Sequence, residues 1–157
     1  MDKDIDLEHG FQVDQIEAAA FFDRVSNRFK VKVKSLVEQI GKGKIAFLSG
    51  DDFTVLPYVA CGGDGVISVV GNIAPAAMKA LVVAARKPDL PRALELQVGM
   101  AELNRMMFVE TNPGPVKAAV ALLGKASGEL RLPLAPVSEA NLAKVRAAMV
   151  KFGLKLA

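Results

Sequence analysis

The residues best placed to do chemistry form the run Ser49-Gly50-Asp51-Asp52. It follows the apolar stretch 44–49, so it would lie just past the carboxyl end of a strand. In α/β architectures that is the face where ligands bind. Gly50 would let a ligand approach the backbone closely. Asp51 and Asp52 could orient a substrate or move a proton, but either could instead cap a helix opening at Phe53. Spacing alone favours the capping role. A second apolar stretch, 65–70, ends at Gly71-Asn72 on the same face. The backbone carbonyls of 67–72 could line a pocket, although an ordinary buried strand accounts for the same residues.

The other reactive side chains read as structural. A catalytic lysine needs burial to lower its pKa. Lys32 and Lys34 sit in a basic amphipathic segment and read as solvated, and Lys44 stands at the wrong end of its strand. His9 lies in the first ten residues, away from any other imidazole or carboxylate cluster. Cys61, at a helix-to-glycine turn, and Tyr58, beside Pro57, read as packing residues. Met100, Met106 and Met107 read as core fillers on a long helix. The chain has no phosphate-binding glycine loop, no GxGxxG and no metal-ligand spacing, so no cofactor and no metal is expected.

Several elements must hold these residues. The 157 residues suffice for one domain with a real core, and 52% apolar against 24% charged residues excludes a disordered composition. Stretches 44–49 and 65–70 are nearly continuous apolar runs without alternation, as expected of strands covered on both faces of a parallel sheet. The link between them is too long for a hairpin and long enough for a crossover helix, closed by Cys61-Gly62-Gly63. Helices are expected over 76–86 behind Pro75, over 90–109 with Leu96, Met100, Leu103 and Met107 on one face, over 116–123, and over 138–152. In the last, Leu142, Val145, Met149 and Phe152 point inward. Asn112 would cap the third, with Pro113 in its first position. Stretch 131–136 (RLPLAP) is expected to be extended because of its prolines. Before residue 44, a helix is expected over 13–29 and a helix or exposed strand over 29–41. Two strands make too small a parallel sheet, so open strand edges should pair with a second copy or a partner chain.

Composition narrows the partners and the compartment. The net charge is +3, with the positive excess after residue 44, where 12 basic residues face 9 acidic ones. They are scattered singly over helix faces without a basic stripe, so no nucleic acid partner is expected. No apolar run is long enough for a membrane span. The lone cysteine fits a reducing cytoplasm, and the acidic start (Asp2, Asp4, Asp6, Glu8) has no basic-then-apolar signal region.

Four segments carry a resemblance: LSGDD (48–52), GGDGVISVVGN (62–72), FVETNPGPVKAA (108–119) and RLPLAP (131–136). In order and spacing they resemble the carboxyl-terminal half of the 4-hydroxy-tetrahydrodipicolinate synthase family, also called dihydrodipicolinate synthase. The likeness runs from about Ser35 to the end. The NP-x-PVK and RLPL segments set this branch apart from the sialic-acid lyases and keto-sugar aldolases. Gly114 departs from the branched residue common at its position, which leaves another pyruvate-dependent aldolase branch open.

The resemblance implies an α/β fold: the last two β/α units of a TIM barrel over 44–88, then a helical carboxyl-terminal domain over 89–157, behind a non-matching helical segment over 1–43. It implies a class I aldolase that condenses pyruvate, held as a Schiff base, with aspartate semialdehyde in the diaminopimelate route to lysine. By the same likeness Gly50 and Ile67 would line a pyruvate pocket, Ile67 through its carbonyl. Asp51 and Asp52 would stand at its mouth, and Asn112 and Pro113 near the substrate entrance. The family's reactive lysine lies on the sixth strand in a Gly-(Ile/Val)-Lys-Glu motif. Here the corresponding region reads FFDRVSNRF, with Arg24 and Val25 and no lysine. The family's tyrosine relay belongs to earlier strands. The expectation is therefore a chain that lacks the activity by itself and has no catalytic residue of its own.

Overall fold

A computed structural model describes residues 45–87 and 89–157. The readings over 13–41, together with His9, Lys32, Lys34 and Lys44, lie outside the described residues.

The two strands are shorter than expected. Strand β1 (Leu48–Ser49) pairs in parallel with β2 (Gly65–Val66), Leu48 opposite Gly65 and Ser49 opposite Val66. Hydrogen bonds from Asp64 N to the Phe47 carbonyl (2.7 Å) and from Ile67 N to the Ser49 carbonyl (2.8 Å) carry the pairing one step further at each end. The expected strand through residue 70 stops early for a visible reason. The amides of Val69 and Val70 are taken by the Asp52 carboxylate, so they cannot serve a ladder. The chain turns instead into a short 3₁₀ segment, Val70–Asn72.

The crossover is a 3₁₀ turn, Asp52–Thr54, leading into helix α1 (Val55–Ala60). Its glycine exit has a steric cause. A Cβ on Gly63 would lie 2.2 Å from the Tyr58 ring, so only glycine lets that ring pass.

Helix α2 (Pro75–Arg86) starts on proline, whose fixed φ suits a first turn. The helix expected over 90–109 is two: α3 (Leu90–Gly99), capped by the Asp89 carboxylate, and α4 (Ala101–Met106). The break falls at Gly99-Met100, where glycine's backbone freedom weakens a helix. The apolar face survives the break, with Met100, Leu103 and Met107 buried. In α5 (Gly114–Leu122) the expected cap shifts by one residue. Pro113, not Asn112, is the capping residue, because Gly114 N still closes a turn onto the Thr111 carbonyl at 3.0 Å. Stretch 131–136 is not fully extended: Leu134 N bonds back to the Arg131 carbonyl at 3.1 Å, leaving Leu132 exposed at the tip. Helix α6 (Glu139–Phe152) follows Ser138 and ends on Gly153, whose φ of 94° is left-handed and suits glycine.

One apolar core joins these pieces, with Val55, Val70, Leu81, Met100, Leu103, Met107, Val145 and Met149 at its centre. Helix α2 packs on α1 and α3, and α6 packs on α4 and α5. The expected inward side of α6 holds: Val145 and Met149 are buried, and Leu142 and Phe152 are half-buried. Each such side chain contributes about 1.5–3 kcal/mol when fully buried. No helix of the described residues is long and apolar enough to cross a membrane.

Candidate functional site

The carboxyl ends of β1 and β2 lie side by side. The Ile67 N to Ser49 O bond brings Ile67 next to Gly50, the residue after β1. Ile67 is 71% exposed, and a Cβ on Gly50 would meet nothing within 4 Å. Together they present open backbone at the carboxyl end of the strand pair.

The neighbouring aspartates do different work from each other. Asp51 is a helix cap: its carboxylate accepts from Phe53 N at 3.2 Å and from Thr54 Oγ1 at 3.0 Å. Ser49 Oγ supports the turn, accepting from Asp51 N and donating to the Asp51 carbonyl, both at 3.1 Å. Asp52 is buried inside the fold. It is 1% exposed, and its Oδ2 accepts from Val69 N at 3.0 Å and Val70 N at 2.9 Å. Two backbone donors on one carboxylate oxygen form charge-assisted bonds, about twice as strong as neutral ones. The Asp52 carbonyl in turn accepts from Gln97 Nε2 (2.9 Å) and Asn104 Nδ2 (3.2 Å), while Gln97 Oε1 accepts from Leu56 N (3.1 Å). Asp52 is thus the knot that ties the strand ends to α1, α3 and α4. Asp52 Oδ1 and Asn104 Oδ1 are buried without a hydrogen-bond partner.

Ile67, Asn112 and Pro113 meet in one open cavity of about 380 Å³, whose walls also include Ser68, Asn72, Lys117 and Ser127. Its polar groups are largely engaged. Ser68 Oγ accepts from Gly71 N at 2.7 Å, Asn72 Nδ2 donates to the Val69 carbonyl at 2.9 Å, and Lys117 Nζ donates to the Glu129 carbonyl. Gly50, Asp51 and Asp52 lie outside this cavity's lining. The six candidate residues therefore divide into backbone at the strand ends (Gly50, Ile67), a cavity wall (Ile67, Asn112, Pro113) and two structural carboxylates.

Sequence reasoning missed Gln97 and Asn104. Asn104 had a signal: it adjoins Leu103 on a helix whose neighbouring turns are apolar, and a polar side chain there must find a buried partner. Gln97 carried none. Cys61 is half-buried at the end of α1. The Tyr58 phenol is raised above its ordinary pKa, chiefly by burial and then by the nearby Asp64 carboxylate. Among the described residues no three His, Cys, Asp or Glu side chains gather as metal ligands would.

The chain's likenesses follow these positions. A model of the Dihydrodipicolinate synthetase family matches residues 24–151. The match starts earlier than the motifs do, within the segment expected to be foreign. The 4-hydroxy-tetrahydrodipicolinate synthase of Anaeromyxobacter dehalogenans (strain 2CP-C) is 80% identical over 122 residues, which cover 78% of this chain and 41% of that protein. The crystal structure of dihydrodipicolinate synthase from Aquifex aeolicus superposes with a TM-score of 0.76 at 40% identity, covering 80% of this chain and 42% of the other. A chloride-inhibited dihydrodipicolinate synthase from Acinetobacter baumannii, complexed with pyruvate, gives 0.73 at 37% identity, with 79% and 42% covered. The chain thus spans about two fifths of the length of the relatives it matches.

Proposed function

Because this chain belongs to the dihydrodipicolinate synthetase family, we propose that it carries the pyruvate-facing end of a pyruvate-dependent lyase and lacks the activity by itself. The observation that supports this most is the family match together with the open backbone of Gly50 and Ile67 at adjoining strand ends. In this reading, residues 44–88 are the last two β/α units of a TIM barrel and 89–157 are the helical domain that follows. The inherited reaction is the condensation of pyruvate with aspartate semialdehyde on the route to lysine. Gly50 and Ile67 line the pyruvate pocket, and Asn112 and Pro113 shape the approach to it. Asp51 and Asp52 hold that pocket's frame rather than touch the substrate. A class I aldolase needs an amine to form the iminium that accepts electrons from the carbon–carbon bond change. The FFDRVSNRF segment offers none. A cytoplasmic location belongs to the same reading, supported by the single cysteine. Incubation with pyruvate and borohydride followed by intact-mass measurement should leave the mass unchanged. A stoichiometric pyruvyl adduct on one lysine would overturn the claim of inactivity.

A second reading has its own support. The β1–β2 pair is the whole sheet among the described residues, and Ile45, Leu48 and Ile67 beside it are exposed. A strand edge with no neighbouring strand among the described residues can template pairing with another chain. Here the chain acts by associating with a second copy or with a partner that supplies further strands. Light scattering on the purified chain should then give a mass above the monomer's. A monodisperse monomer across concentrations would dismiss this reading.

A further inference from the structure

The cavity that Ile67, Asn112 and Pro113 share has one ionisable side chain in its wall, Lys117. It stands in the first half of α5 and is half-buried. Its Nζ donates to the Glu129 carbonyl, which sets the ammonium close to the stretch that brings Ser127 to the wall. An ammonium carries three N–H donors, so this one bond leaves donors over. Among the described residues the ion pairs are Arg92–Glu95 and Lys151–Glu102, so no carboxylate pairs with Lys117. The side chains of Asn112 and Ser127 make no hydrogen bond among the described residues.

The rest of the wall is largely aliphatic, with Val69, Val116 and Val120 in it. Its volume of about 380 Å³ is near the small end of ligand cavities, which run from about 300 to 1,000 Å³. A cleft with one sign of charge and low-dielectric walls concentrates ions of the opposite sign. A bare inorganic anion would use the ammonium and none of the aliphatic wall. A carboxylate on a short carbon chain uses both, because each buried methylene adds to binding. Its oxygens also suit the spare donors of Asn112 and Ser127.

We propose that this cavity binds a small organic acid, with Lys117 holding the carboxylate and the valine wall covering the carbon chain. The binding needs no Schiff base, so the borohydride result neither supports nor sinks it. Titration of the isotope-labelled full chain with butyrate, followed by amide chemical shifts, tests this. Butyrate should move the amides of 116–120 and of Ser127 saturably. Butyramide, neutral and of the same shape, should bind about tenfold more weakly. Inorganic phosphate should also bind more weakly than butyrate. K117M, which keeps an unbranched apolar stem, should lose about tenfold, whereas K117R and the distant K144M should keep the binding. A second readout needs no variant: butyrate should slow acylation of Lys117, read by peptide mass, without slowing that of Lys144. The proposal is overturned if butyrate moves no amide of this wall, or if butyramide or phosphate binds as tightly. It is also overturned if K117M binds butyrate unchanged, if K144M loses as much, or if Lys117 gains no protection.

Discussion

The segment from Ile45 to Ala74 and the segment from Pro75 to Ala157 solve the same backbone problem in opposite ways. Helices satisfy most of their N–H and C=O groups internally. The second segment therefore closes on itself, with α2 to α6 needing only caps and a shared apolar face. Strands need neighbours, and in the first segment each strand has two ladder residues. What holds that segment, besides the shared apolar core, is less its sheet than one buried carboxylate: Asp52 gathers two strand-end amides on its side chain and two helix side chains on its carbonyl. A piece of sheet can thus keep its shape when side chains replace the missing ladder and meet its backbone amides.

Variants can break or sharpen that contrast. Tyr58 is the only tyrosine and the chain has no tryptophan, so tyrosine fluorescence reports the first segment while far-UV circular dichroism reports the helices. The largest effect should come from D52A. It strands the buried amide of Val70 and the part-buried amide of Val69, at a cost of about 3 kcal/mol. In urea the Tyr58 transition should move to lower concentration ahead of the helix transition. If both shift together, the two segments form a single cooperative unit and the contrast fails. Next, G63A drives a methyl group into the Tyr58 ring, whose atoms lie 2.2 Å from the added carbon. Overpacking of this kind costs about 1–3 kcal/mol. The loss should show in the Tyr58 signal first, and an unchanged urea midpoint would mean that the ring swings aside freely.

The smallest effect lies in the helical segment. Glu110 Oε1 accepts from Ser138 Oγ (2.6 Å), Asn141 Nδ2 (2.8 Å) and Ser138 N (3.0 Å), tying the end of α4's turn to the start of α6. These bonds hold its carboxyl below the ordinary value of 4.5, the Ser138 hydroxyl first among them. A depressed acid stabilises the fold above its unfolded pKa and loses that contribution as pH falls through its folded value. E110Q should therefore lower the melting temperature slightly at neutral pH, with the gap to the parent closing as pH drops below 4.5. A gap that stays constant with pH would exclude the ionised carboxylate as its source.

The helical part of the fold was largely legible in the sequence. The i, i+3, i+7 recurrence that places Met100, Leu103 and Met107 inward is a local pattern, and so is the Pro75 start. The Gly99 break and the one-residue shift from Asn112 to Pro113 were not legible, because small differences in local turn closure decide them. The strand ends were misread for a tertiary reason. Nothing in GVISVV says that a carboxylate seventeen residues earlier will capture the Val69 amide.

The site shows the same division. Sequence by itself determined the kind of chemistry that the chain resembles, because four spaced motifs, the LSGDD and NPGPVK runs among them, persist without reference to the rest of the fold. It also determined the lack of a lysine in FFDRVSNRF. Only the tertiary structure decided what the two adjacent aspartates do. Asp51 and Asp52 are alike in the sequence, yet a rotation of one residue along a turn sends the first to its own helix and the second into the core. A buried carboxylate persists only where donors meet it, and those donors come from Val69 and Val70, brought to Asp52 by the fold alone.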